Sequence, residues 1–188
     1  VLDRFGQIKP KILITTDGYF YGGKKLNSLD KLKPILEQLN DTKHVIVVPY
    51  ANPTLSQNDA QAELSCQQSV NLWQQCLSND ANEITFSAQR FDHPLYILYS
   101  SGTTGAPKCI VHGAGGTLLQ HYKELVFHTD VKQEDTLFYY TTCGWMMWNW
   151  MVSTLMTGAT LVIYDGSPFY PGANVLWDMA EAENISIF

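Results

Sequence analysis

Apolar residues fall in short runs separated by polar or glycine-rich breaks, and the spacing inside each run predicts an element. Lys11–Thr16 (KILITT) predicts a short buried strand. Gly18, Gly22 and Gly23 then mark a turn. Ser28 suits the cap of a helix running to about Leu39, with Leu29, Leu32, Ile35, Leu36 and Leu39 on one face and Pro34 as an internal obstacle. His44–Tyr50 predicts a second strand. Residues 51–80 are rich in Gln and Asn and predict a surface loop, then a helix around Val70–Leu77. Leu95–Ser100 (LYILYS) is nearly continuous in apolar side chains and predicts a strand buried on both faces.

A helix from about Gly116 to His128 would set Leu118, Leu119, Tyr122, Leu125 and Val126 on one face. Thr136–Thr142 predicts a strand, and Trp145–Met156 a helix apolar on all sides and hence buried. Thr160–Tyr164 follows as a strand, Ala173–Asn184 as a helix, and Ile185–Phe188 as the start of another strand. This alternation predicts an α/β fold, a layered, mostly parallel sheet flanked by helices. The sequence opens on Val1 and closes inside a predicted strand. Residues 1–188 are therefore expected to be one partial region of a longer protein, truncated at both ends.

Composition changes this picture only at the margins. At 45% hydrophobic and 16% charged residues the chain is a folding sequence, not a disordered one. Its net charge of −6 gives nothing to attract nucleic acid or an acidic membrane surface. With only 12 Lys and Arg, any phosphate site must rely on backbone N–H groups and one or two lysines. The four cysteines (Cys66, Cys76, Cys109 and Cys143) form no CxxC pair, which favours free thiols in a reducing, cytoplasmic setting. Cys109 and Cys143 read as small packed residues. Thr136–Tyr164 carries no charge, but Thr141, Thr142, Gly144, Asn149, Thr157, Gly158 and Thr160 interrupt it, so it reads as core and not as a membrane span.

The strongest chemical signal is Tyr99-Ser100-Ser101-Gly102-Thr103-Thr104-Gly105-Ala106-Pro107-Lys108. Its two glycines permit a tight turn and close approach of backbone to a ligand. The hydroxyls of Ser100, Ser101, Thr103 and Thr104 can bond phosphate oxygens, successive loop N–H groups can form an anion nest, and Lys108 supplies the cation. It is not a Walker A loop, because Pro107 stands at the second glycine position and Cys109 replaces the hydroxyl after the lysine. Gly113-Ala114-Gly115-Gly116 is not a dinucleotide fingerprint, since Leu118 occupies the third glycine position.

This string resembles the phosphate-binding signature of the adenylate-forming superfamily: acyl-CoA synthetases, luciferases and peptide-synthetase adenylation domains. Phe91–Tyr99 resembles the lead-in strand of that superfamily, and Cys109–Gly116 the segment that opens its next helix. Thr141–Trp150 (TTCGWMMWNW), Tyr164–Phe169 and Asp3–Ile8 are similar to the acetoacetate-activating synthetases within it. The resemblance implies the large N-terminal region of such an enzyme, without the small C-terminal domain and its lysine. It implies activation of acetoacetate by ATP with release of pyrophosphate, then transfer to CoA, in ketone-body and lipid metabolism.

On that resemblance Ser100, Ser101, Gly102, Thr103, Thr104, Gly105 and Lys108 surround the ATP phosphates, with Lys108, Thr103 and Thr104 acting in catalysis. Mg²⁺ would bridge the phosphates, and no dedicated protein metal site is implied. Trp145, Trp148 and Asn149 have two readings, as a wall of the acyl pocket or as plain core packing, and Asn149 could bond the ketone or a backbone group. His112 is open between a site role and a helix-start or packing role. Lys24 and Lys25 read as solvated turn residues, and Glu37, Asp41, Asp80 and Glu83 as surface charges. Two other functions stay in view: a synthetase for another short acid, and a non-catalytic nucleotide-binding or structural domain.

Overall fold

The computed structural model describes residues 1–78, 83–100 and 105–188, in two compact units. The first unit is built on a β-α-β repeat. Strand β1 (Ile12–Thr16) and strand β4 (His44–Val48) pair in parallel, and β5 (Ser69–Leu72) adds in parallel to the far edge of β4. Helices α1 (Leu2–Ile8), α2 (Leu29–Leu36) and α3 (Gln57–Leu64) accompany this sheet. Leu13, Leu29, Leu32, Leu36, Val45, Val47, Ala60, Leu64 and Val70 form its core. The expected layered α/β class, a parallel sheet with helices, is therefore present. Strand β1 buries one face only: Leu13 points inward, while Ile12 and Ile14 are more than half exposed at the sheet edge.

Three local expectations give way here. The Gly18–Gly23 turn is a full antiparallel hairpin of β2 (Gly18–Tyr21) and β3 (Lys24–Asn27), turning at Gly22 and Gly23, which both have positive φ. Gly18 is required by close approach, since a Cβ there would meet the Leu26 carbonyl oxygen at 2.6 Å. The predicted helix around Val70–Leu77 is instead strand β5 followed by a 3-10 turn at Trp73–Cys76, and the helix lies earlier, as α3. Its cap is Ser56, whose Oγ accepts the Asp59 N–H at 3.1 Å. Lys25 is not a free turn lysine, because its Nζ donates to the Ala51 carbonyl at 2.9 Å. Asp41 is a surface charge near Lys9 and Lys11, at 3.8 and 3.9 Å, while Asp80 lies outside the described residues.

The second unit begins with an antiparallel ribbon of β6 (Pro94–Tyr99) and β7 (Cys109–Gly113). Helix α4 (Ala114–Tyr122) follows and continues as a π-helical turn over Lys123–His128. Then come β8 (Thr136–Leu137), α5 (Met146–Val152), a 3-10 turn over Ser153–Thr157, β9 (Thr160–Leu161) and α6 (Val175–Ala182). Strands β8 and β9 pair in parallel, and Ile187 bridges to Leu137 on the same strand. Leu125, Val131, Leu137, Met151 and Ala159 make the core, with Trp148, Trp150 and Ile187 packed on it. Within the described residues no helix is long and apolar enough to cross a membrane.

Here the burial pattern corrects the hydrophobicity reading. Strand β6 is not buried on both faces: it is bonded along one edge by β7, and Leu95 is 54% exposed. The α4 face that points inward carries Thr117, His121 and Leu125, one helical turn apart, whereas Leu118, Leu119 and Tyr122 face out. Helix α5 is apolar all round but buries only Met151 fully, with Trp145 65% exposed. Cys109 and Cys143 are exposed and not packed.

Candidate active site

The strands β6 and β7 flank the Ser/Thr/Gly-rich string in sequence, β6 ending at Tyr99 and β7 starting at Cys109. Their register runs Tyr96 opposite His112, Ile97 opposite Val111, Leu98 opposite Ile110 and Tyr99 opposite Cys109. Two bonds then close the ribbon. The Ser100 N–H donates to the Lys108 carbonyl at 3.0 Å, and the Lys108 N–H donates to Ser100 Oγ at 3.2 Å. Ser100 and Lys108, the two residues that bracket the string, are thus tied to each other at the end of one hairpin. Gly105 has φ +91 with nothing within 4 Å of the place a Cβ would take, so the glycine serves backbone shape and not packing. Lys108 is exposed, and among the described residues no carboxylate lies within ion-pair distance of it. Ser101, Gly102, Thr103 and Thr104 lie outside the described residues.

His112 does not start a helix. It sits on β7, and its ring lies on the ring of Tyr96 across the ribbon, centroids 5.2 Å apart and tilted by 34°. The segment Cys109–Gly116 opens the next helix as expected, but only from Ala114, its first five residues extending as strand β7. The turn between them is tight. The Gly115 N–H donates to Phe91 O at 2.9 Å, and a Cβ on Gly115 would stand 2.1 Å from the Phe91 ring.

The aromatic segment divides its two readings between different residues. Trp148 and Trp150 pack on the core, as in the bland alternative. Trp145 caps α5 in an extended conformation and holds its ring in the open. Asn149 is half-buried, and its side-chain amide has no hydrogen-bond partner among the described residues. Asn149 and Ser153 lie four residues apart, so they share one stripe at the C-terminal end of α5, while Trp145 stands outside the helix at its N-cap.

Two polar residues that the pattern of apolar positions passed over are held firmly. His121 is 7% exposed, and its Nδ1 lies 2.8 Å from Ser153 Oγ. Burial holds its imidazole below the usual histidine range, the nearby His112 pushes the same way, and Glu124 opposes. Asp17, at the end of β1, is also 7% exposed. Burial alone would raise its carboxyl, but the N–H groups of Ala51, Tyr50, Asn52 and Gly18 outweigh it and hold the carboxyl below its ordinary value of 3.8. The bonds to Tyr50, Ala51 and Asn52 run 2.7, 2.9 and 2.6 Å, so Asp17 ties the end of β1 to the turn after β4. Beside it is a cleft of about 360 Å³ lined by Gly18, Lys25, Asn27, Asn52, Leu55 and Glu63. Among the described residues there is no cluster of three His, Cys, Asp or Glu side chains able to hold a metal ion.

Comparison with known proteins places this geometry. Residues 3–188 match the profile of the AMP-binding enzyme family. Acetoacetyl-coenzyme A synthetase of Rhizobium meliloti (strain 1021) is 50% identical over 188 residues, which is all of this chain and 28% of that protein. Malonamoyl-CoA synthetase of Penicillium aethiopicum is 42% identical over 171 residues, 90% of this chain and 23% of that protein. Among solved structures, the acetoacetyl-CoA synthetase from Streptomyces lividans superposes with a TM-score of 0.86 and 40% identity, over 98% of this chain and 27% of that one. The chain thus spans about a quarter of the length of these relatives.

Proposed function

The chain belongs to the AMP-binding enzyme family, and from that premise we propose that it is the phosphate-gripping part of an ATP-dependent acetoacetate–CoA ligase, an N-terminal portion of a longer enzyme. In the first half-reaction a carboxylate oxygen of acetoacetate attacks the α-phosphorus of ATP, and pyrophosphate leaves. In the second the CoA thiol attacks the acyl carbon, and AMP leaves. Neither step needs a protein nucleophile. What the first step does need is neutralisation of the leaving pyrophosphate and in-line placement of the carboxylate.

The observation that supports this reading is the pair of bonds by which Ser100 and Lys108, at the two ends of the Ser/Thr/Gly-rich string, hold each other. We assign the β- and γ-phosphates to the hydroxyls of Ser100, Ser101, Thr103 and Thr104, to the N–H groups around Gly102 and Gly105, and to the Lys108 ammonium. Mg²⁺, where bound with the nucleotide, would supply further charge neutralisation, held by the phosphates and water with help from the hydroxyls of the string. Trp145 and Asn149 are assigned to the acyl pocket. The relatives named for acetoacetyl-CoA and malonamoyl-CoA handle acids that share one feature, a carbonyl β to the carboxylate. An unpartnered amide on Asn149 is a donor suited to that carbonyl. The setting we assign is the cytoplasm, in ketone-body and lipid metabolism.

The test is ATP–pyrophosphate exchange by the full-length protein with acetoacetate, butyrate, propionate and acetate compared. Preference for acetoacetate over butyrate, which differs by lacking the β-carbonyl, supports the assignment. Exchange that favours a simple alkyl acid removes acetoacetate but keeps the adenylation chemistry. Folded protein with no exchange on any acid would return the chain to the non-catalytic reading.

A further inference from the structure

His121 and Ser153 form a buried hinge pin under the helix that carries Trp145 and Asn149. The Ser153 hydroxyl has one proton, and it points at the Asn149 carbonyl, four residues back, at 2.9 Å. The same carbonyl also accepts the Ser153 N–H, where α5 gives way to the 3-10 turn. With its proton spent there, Ser153 Oγ faces His121 Nδ1 at 2.8 Å with lone pairs only, so the imidazole is the donor. That assigns the neutral Nδ1–H tautomer to His121, in keeping with its burial. The chain of bonds runs from α4, through His121 and Ser153, to the backbone of Asn149.

We propose that His121 is a positioning residue for acyl specificity: it locks the rotation of α5, and with it the direction in which Asn149 and Trp145 face a β-carbonyl acid. The proposal rests on the assignment of Asn149 and Trp145 to the acyl pocket. The geometry favours it over plain stability for a specific reason. Ser153 lies one helical turn after Asn149 on the same stripe of the helix that Trp145 caps, so the anchored residue and Asn149 turn together. Met151 is the one fully buried residue of α5, and Trp148 and Trp150 pack beside it on the core, all through apolar contacts that carry no directional bond. A polar pin from α4 supplies what packing omits.

The experiment uses the full-length protein and compares kcat/KM in ATP–pyrophosphate exchange for acetoacetate and for butyrate. His121→Phe keeps ring volume and removes the donor, and His121→Asn keeps an N–H where Nδ1 stood. Ser153→Ala removes the acceptor and serves if His121→Phe does not fold. Loss of one such bond and the resulting misplacement predict that the acetoacetate-to-butyrate ratio falls about tenfold in His121→Phe and in Ser153→Ala. In His121→Asn it stays within about threefold of the parent. A residue that only supported the fold would lower both acids together and leave the ratio alone. A ratio unchanged in folded His121→Phe or Ser153→Ala, or a His121→Asn no better than Phe, overturns the proposal while the parent still prefers acetoacetate. A parent with no such preference removes the pocket assignment itself, and this inference with it.

Discussion

Asp17 carries a testable energetic consequence of its own. Its buried carboxylate is held ionised by backbone N–H donors of the turn after β4. An amide in its place offers one acceptor oxygen and aims N–H at N–H, so Asp17→Asn should cost roughly 1–3 kcal/mol. The sign of the pH dependence follows from the lowered folded value. The contribution is complete above the ordinary 3.8 and is lost as pH falls through the depressed folded value. Thermal melts of the two proteins should differ most near neutral pH and converge only as pH falls below the ordinary 3.8 and through the lowered folded value; a gap that ignores pH would contradict the account. Nothing in the sequence announced this role, because Asp17-Gly18 after an apolar run reads as an ordinary turn. His121 escaped for a related reason. Ranking residues by hydrophobicity put Leu118, Leu119, Tyr122, Leu125 and Val126 on the inner face; Leu125 is there, but Thr117 and His121 take the place of Leu118, Leu119 and Tyr122. The phosphate string, by contrast, stands out in the sequence itself, because glycines, hydroxyls and a lysine crowd ten consecutive residues.

Elements were legible where their pattern was pure. Strands β1 and β4 and helix α2 fall where the apolar spacing sets them, with ends trimmed by a few residues. Strand β5 was lost because Ser69-Val70-Asn71-Leu72 alternates for only four residues before Trp73 and Cys76 suggest a helix. Helix α3 was lost because Ala60 and Leu64 are its only buried residues, although the Ser56 and Asp59 cap was present in the sequence as a start signal. The β2–β3 hairpin gives the prediction at this scale. Gly18→Ala would drive a methyl against the Leu26 carbonyl oxygen and the Ala51 side chain, at 2.6 and 3.1 Å. Backbone cannot yield as a flexible side chain does, so a loss of about 1–3 kcal/mol is expected, read as a lower melting temperature. An unchanged melt would mean that the hairpin approach is looser than described.

For the whole molecule, the fold class followed from alternating strand and helix patterns, and the family from one loop and one aromatic segment. What did not follow was exposure. Apolar runs at β6 and α5 predicted burial, yet Leu95 and Trp145 are more than half exposed. Periodicity reports which residues are apolar and does not report what is packed on them. The central claim is that the loop from Ser100 to Lys108 grips ATP for adenylation. The most direct measurement is acetoacetate-dependent ATP–pyrophosphate exchange in the full-length protein, with and without Lys108→Ala, both confirmed folded by their melts. The account predicts exchange in the parent and a fall of about 10²–10³ in the variant, from removal of a charge aimed at the leaving phosphates. Exchange at the parent rate in folded Lys108→Ala would contradict it.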